Sequence, residues 1–262
     1  MTDFRTPSQL QFEHIANFRD LGGHTTHDGR RVASGRLLRS GHLGRASDKD
    51  LETLAPFGLR CIFDFRNATD IGMEGADRLP GTAECVRLPM PDPAKGHDIR
   101  AMMEESSQDQ LKELFGGGKA EKMMSDSAAS LVRDRREPYS IFLKGLANAG
   151  KVPALFHCSA GKDRAGWAGS VALLTVGVPE DQVMEQYLLS NRAAEQLIKQ
   201  FSSEGSEFWH EMFKPLVGVR EEYIQASFDA VREDWGDFDS YLREGLGITD
   251  AEREAIRNNL LE

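Results

Sequence analysis

Cysteine is scarce in this 262-residue chain: Cys61, Cys85 and Cys158 stand singly. An odd, low count implies no disulfide framework and points to a reducing compartment. No two of them form a C-x-x-C pair, so no zinc site is expected, and no other cofactor is implied. Positive charge is short as well. Against 42 Asp+Glu stand only 32 Lys+Arg, a formal net charge of −10. Binding a nucleic-acid backbone needs clustered cations, as does a polybasic membrane anchor, and neither is expected here. A membrane-spanning helix needs roughly 20 apolar residues in a row, and no stretch approaches that. Met1 to Gln11 carries Asp3 and Arg5 and has no apolar core, so no secretory signal is read. The expected location is cytoplasmic, with export by a signal-less route left open. The 25 Gly and 10 Pro are ordinary usage, which excludes collagen-like and disordered readings.

What is present reads as one domain, 1–262, long enough to bury its own core. Gly22-Gly23 and Asp28-Gly29 mark turns, and Arg31 to Leu38 alternates like a strand. Ser47 caps a short helix with Asp48 and Asp50 in its first turn. Leu59 to Phe65, Ala83 to Leu88 and Val152 to Phe156 are apolar runs short enough for buried strands. Residues 94–136 are rich in Met and charge, with Gly116 to Gly118 in the middle, and read as a helical insertion. Tyr139, Phe142, Leu143 and Leu146 share one helical face, and an apolar helix runs from about Ala165 to Val176. Tyr223, Ile224, Phe228, Val231 and Trp235 mark another helix, and Thr249 can cap a last one. Strands in the first half and helices throughout the second argue for an α/β fold with extra helices.

The segment that carries chemistry is His157-Cys158-Ser159-Ala160-Gly161-Lys162-Asp163-Arg164. It leaves a buried strand and enters a helix. There, successive backbone N–H groups turn inward and the helix terminus adds partial positive charge, which makes an oxyanion nest. A cysteine at its start feels that field, and its thiol pKa is expected to fall. An arginine six positions on can return and grip two anion oxygens. Thiolate, nest and guanidinium together suit phosphoryl transfer to sulfur, with no metal required. The expected phosphate cradle is Ser159, Ala160, Gly161 and Lys162, with Cys158 and Arg164 at its ends.

The segment matches the H-C-x-x-G-K-D-R signature, and the chain resembles the bacterial atypical tyrosine and lipid phosphatases of the cysteine-dependent phosphatase superfamily. Asn17-Phe18-Arg19-Asp20-Leu21-Gly22-Gly23 is similar to that family's N-F-R-D motif. Gly35-Arg36-Leu37-Leu38-Arg39-Ser40 is similar to its G-x-L-x-R-S segment, and Phe63-Asp64-Phe65-Arg66 to its D-L-R strand end. The resemblance also takes in Val219 to Tyr223 and Leu246 to Ile248. It implies a central mixed sheet flanked by helices, Cys158 as nucleophile, Arg164 as phosphate clamp and Asp163 as general acid. Asp92, in the Met90-Pro91-Asp92-Pro93 turn, is the alternative acid. Lys162 resembles the loop lysine of inositide phosphatases, which widens the expected substrates from phosphorylated proteins to phosphoinositides. Where the family has a hydroxyl after the arginine this chain has Ala165, which puts the second step in question and keeps a phosphate-binding pseudo-phosphatase as a rival reading.

His157 is expected to orient the loop rather than shuttle protons. Arg19, Arg39 and Arg66 are candidates for a locally positive pocket, with Asp20 and Asp64 orienting them. Cys61 and Cys85 are expected as small core residues, with a resolving thiol as the alternative. Gly116 to Lys119 does not complete a nucleotide-binding pattern and reads as a turn, and Met102-Met103 and Met123-Met124 as helix packing.

Overall fold

Leu37-Leu38, Cys61-Ile62-Phe63 and Ala154-Leu155-Phe156 place apolar side chains at successive strand positions, so both faces of the sheet must be covered there. The computed structural model describes residues 10–92, 105–202 and 214–262. Its five strands are β1 (Arg19–Asp20), β2 (Leu37–Ser40), β3 (Cys61–Asp64), β4 (Glu84–Arg87) and β5 (Ala154–His157). They lie in the order β1-β2-β5-β3-β4, with β1 antiparallel to β2 and the other neighbours parallel. β5 is thus central, and the residues after it emerge at the carboxyl edge of the sheet, where open α/β sheets place their ligands.

The pleat divides the core. Leu38, Leu155 and Ile62 lie in register on one face, covered by Ile15, Leu43 and Phe57 together with Leu54 of α1 (Asp48–Leu54). Leu37, Cys61, Phe63, Ala154 and Phe156 face the larger core. That core is built from α4 (Lys119–Asp134), α5 (Arg136–Ala147), α6 (Arg164–Val176), α9 (Glu221–Trp235) and α10 (Asp250–Leu260). Between these run α2 (Ala68–Glu74), α3 (Gln108–Phe115), α7 (Glu180–Leu188) and α8 (Asn191–Ser202). Every residue of α6 is buried, as its nearly continuous apolar sequence requires.

The 94–136 stretch forms α3 and α4 on either side of Gly116 to Gly118; its first part and the Met102-Met103 pair lie outside the described residues. Met124 is buried and Met123 packs against the core. Tyr139, Phe142, Leu143 and Leu146 are fully buried along α5. Ser47 and Thr249 form capping boxes with Asp50 and Glu252.

One expected strand is mostly absent. Of Arg31 to Leu38, only the end joins the sheet, as Leu37–Ser40. Arg31 and Ala33 instead donate to the carbonyls of Glu262 and Leu260, so this stretch pairs with the C-terminal residues. Gly35, at φ +75°, turns the chain away from that pairing before it enters β2.

Candidate active site

His157 ends β5 and Arg164 begins α6, so the intervening loop spans the central strand and the most buried helix. Its peptide groups are sorted by direction. The carbonyl of His157 accepts from Phe65 N, and that of Cys158 from His157 Nδ1 at 3.2 Å. Ser159 O accepts from His42 N at 2.9 Å. The Asn17 side chain donates to Ala160 O at 3.1 Å and to Gly161 O at 2.9 Å. Arg39 donates through Nε to Gly161 O and through Nη2 to Lys162 O, both at 2.9 Å. Asp163 O takes Trp167 N, and Arg164 O takes the Tyr139 hydroxyl. With every carbonyl held on the outer side, the amides from Ser159 to Asp163, which meet no protein acceptor among the described residues, are left for an anion.

Gly161 makes this turn possible. Its φ is +66°, and a β-carbon there would lie 2.2 Å from the Ser40 carbonyl oxygen. Only glycine satisfies both the conformation and the contact. Asn17, the non-glycine residue with positive φ (56°) among the described residues, is of a type that tolerates that region.

Arg164 is buried, and three acceptors fix its Nη1: Asp70 Oδ2 at 2.6 Å, Met90 O at 3.3 Å and Phe65 O at 3.4 Å. Nη2 reaches Ser159 Oγ at 3.2 Å. Asp70 also closes the capping box of α2 with Asn67, so one carboxylate sets both the helix start and the guanidinium. Sequence reasoning missed Asp70, one acid among many.

Burial pushes the Cys158 thiol up from its ordinary value, against the charge of Arg164 and the N–H of Ala165. The expected lowering is therefore outweighed by desolvation. The Ala165 amide acts on the sulfur at the position where a hydroxyl was looked for. Burial likewise raises the Asp163 carboxyl, opposed by Lys162 and reinforced by Asp92. Asp92 also acts on Cys158 and Arg164, so both candidate acids have their charge felt in the loop.

Other predicted residues face elsewhere. Lys162 turns its ammonium to Leu216 O at 2.5 Å, 3.5 Å from Asp163 Oδ2. Arg66 is wholly buried, bonded to both oxygens of Asp64, to Asp77 at 2.6 Å and to Glu74 at 3.3 Å. Arg19 lies behind the loop on Asn17 Oδ1 and Ser190 Oγ. Asp64 bonds Arg66 as expected, whereas Asp20 meets no arginine among the described residues: it accepts from Gly22 N and Gly35 N and closes the turn between β1 and β2. His157 is bonded to the loop at Cys158 O. Cys61 sits in β3 beside Ala154, the first residue of β5, and Cys85 in β4 beside Ile62, one strand further from Cys158. Gln186 and Ser190, which brace Arg39, gave no signal in the sequence.

A family model described as the tyrosine phosphatase family matches residues 10–262. The chain belongs to the tyrosine phosphatase family. A relative in Cupriavidus necator, itself classed with the tyrosine-protein phosphatases, is 33% identical over 241 residues, which is 91% of this chain and 84% of that one. The triple specificity protein phosphatase of Mycobacterium tuberculosis is 28% identical over 271 residues, covering 94% and 96% of the two chains. This phosphatase is accordingly a phosphoric monoester hydrolase whose substrates carry phosphate, on the mixed α/β fold the motifs implied. Among the described residues no helix is long and apolar enough to cross a membrane.

Proposed function

We propose that the phosphatase works through a cysteinyl-phosphate on Cys158 and takes a broad range of phosphorylated side chains. The observation that carries this is the sorting of the loop's peptide groups, with carbonyls tied outward and amides free, between a buried cysteine and a buried arginine. Cys158 Sγ attacks phosphorus as the ester P–O bond breaks, and Asp163 gives its proton to the leaving oxygen. Arg164 and the loop amides take the charge on the non-bridging oxygens, the part a metal plays elsewhere. Water then attacks phosphorus, Asp163 takes back a proton, and the S–P bond breaks to release phosphate and the thiolate. The raised carboxyl of Asp163 keeps its proton to higher pH than an ordinary aspartate, as an acid must. Breadth is supported by the relative named for triple specificity. Lys162, engaged by Leu216 and Asp163, gives phosphoinositides no particular support.

The test is phosphate release from a small aryl phosphate, with EDTA present, by the wild type and by Cys158→Ser. Steady turnover in the first and none in the second is expected. A single burst without turnover would put the block in the hydrolytic step and point to Ala165. No release by the wild type would overturn the reading. Phosphotyrosine, phosphoserine and phosphothreonine peptides, with phosphoinositide vesicles beside them, then measure the breadth.

A further inference from the structure

On the β2 side of the loop, two buried cations converge on one hydroxyl. Arg19 is 9% exposed and Arg39 wholly buried. Arg19 Nη2 donates to Ser190 Oγ at 2.9 Å, and Arg39 Nη2 to the same oxygen at 3.3 Å. The other bonds of Arg19 also go to neutral groups, with Nη1 on Asn17 O and Oδ1 and Nη2 on Gln186 O at 3.4 Å. Its Nε is buried and meets no acceptor among the described residues. Gln186, 3% exposed, has an amide atom 3.3 Å from Arg39 Nη1. A guanidinium only donates, so that atom is Oε1, and Nε2 of the same amide is the donor left over. It too is buried and meets no acceptor among the described residues. Charge is out of balance in the same place. Burial lowers the Arg39 pKa, but Cys158, Tyr187 and Asp163, when ionised, oppose the fall. For Arg19 every effect runs one way, since burial, Arg39 on β2 and Arg192 on α8 all disfavour its cation. Arginine keeps its proton in proteins, so a buried one needs a counter-charge, as a buried N–H needs a partner.

We propose that Arg19 Nε and Gln186 Nε2 form a site behind the loop for one small monovalent anion of the chloride class. Such an ion accepts from both donors and neutralises Arg19. Water would take the hydrogen bonds and leave the charge. An oxyanion is gripped by the paired donors of a guanidinium fork, and the forks of both arginines are already taken by Asn17, Gln186, Ser190 and the loop carbonyls. Single N–H groups from two different side chains suit a monatomic ion instead. With Arg19 neutralised, the charge of Arg39 stays with the loop, whose Gly161 and Lys162 carbonyls it holds. The site is independent of the role given to Cys158.

The experiment is urea unfolding in sodium chloride and in sodium gluconate at equal ionic strength, for the wild type and for Gln186→Glu. That substitution puts a carboxylate beside Arg19 and supplies the counter-charge from within the chain. With chloride at about ten times its dissociation constant, the wild-type ratio of folded to unfolded protein is expected to be about tenfold higher than in gluconate. Gln186→Glu is expected to be equally stable in both salts. A wild type indifferent to the salt would overturn the proposal. So would a variant as dependent on chloride as the wild type, because chloride held in the loop's own nest acts on both alike. Should the variant not fold, anomalous scattering from wild-type crystals grown in sodium bromide decides. Bromide on Arg19 Nε and Gln186 Nε2 supports the site, and a water there without anomalous signal overturns it. No readout uses a phosphate ester, so failure of the phosphatase mechanism would show separately.

Discussion

Buried arginines stand on both flanks of β5, Arg39 on β2 and Arg66 just past β3, and the two sides differ in kind. Arg66 sits among Asp64, Asp77 and Glu74, so its charge is spent on carboxylates. Among the described residues Arg39 and Arg19 meet only neutral acceptors: loop carbonyls, Asn17, Gln186 and Ser190. Two further donors on that side, Arg19 Nε and Gln186 Nε2, are buried and meet no acceptor among the described residues. Desolvation lowers the Arg39 pKa, and the anionic forms of Cys158 and Asp163 oppose the fall, so the guanidinium and the sulfur feel each other. The Arg66 side is a neutralised scaffold, whereas the Arg39 side keeps positive charge behind the anion nest. Buried arginine is therefore structural or electrostatic according to its partners.

The widest gap between the sides should appear in stability. Arg66→Gln leaves Asp64 and Asp77 buried without their cation and is expected to cost about 3–5 kcal/mol in urea unfolding. Thermal unfolding should show the same order, with Arg66→Gln far below Arg39→Gln. A smaller effect, in binding, should mark Arg39→Gln. Loss of its charged bonds to Gly161 O and Lys162 O is expected to weaken vanadate inhibition by about 1.5–3 kcal/mol, roughly 10- to 150-fold. Equal loss of vanadate affinity in both variants would erase the distinction. Smallest is Asn17→Ala, which frees two carbonyls from a neutral donor. It is expected to reduce kcat/KM by about 1 kcal/mol, some fivefold, with little change in unfolding.

How much of this was legible in the sequence depends on the range of the contacts. Cys158, Gly161 and Arg164 could be read because strand, turn and helix follow one another locally, and spacing alone places thiol, turn and guanidinium together. The Asn17 and Arg39 motifs were visible as strings, but their work was not. Both act on carbonyls more than a hundred residues away, and donors to backbone leave no pattern in side-chain chemistry. Asp70 and Asp77 were hidden among 42 acidic residues, and only burial beside Arg164 and His157 distinguishes them. The stretch before Leu37 misled because alternation reports two-sided burial, which pairing with the C-terminal residues also supplies. The thiol direction was misjudged for a related reason: a helix terminus is written in the sequence, and the depth of burial is not.

Strand register has a consequence for oxidative chemistry. Cys61 lies beside Ala154 and Cys85 one strand further out, level with Leu155, so each is about 10 Å or more of strand and sheet from Cys158. A disulfide needs α-carbons within about 7 Å. Peroxide that converts Cys158 to a sulfenic acid would thus find no partner sulfur in its own chain, and recovery would depend on a small thiol that enters by the route the substrate uses.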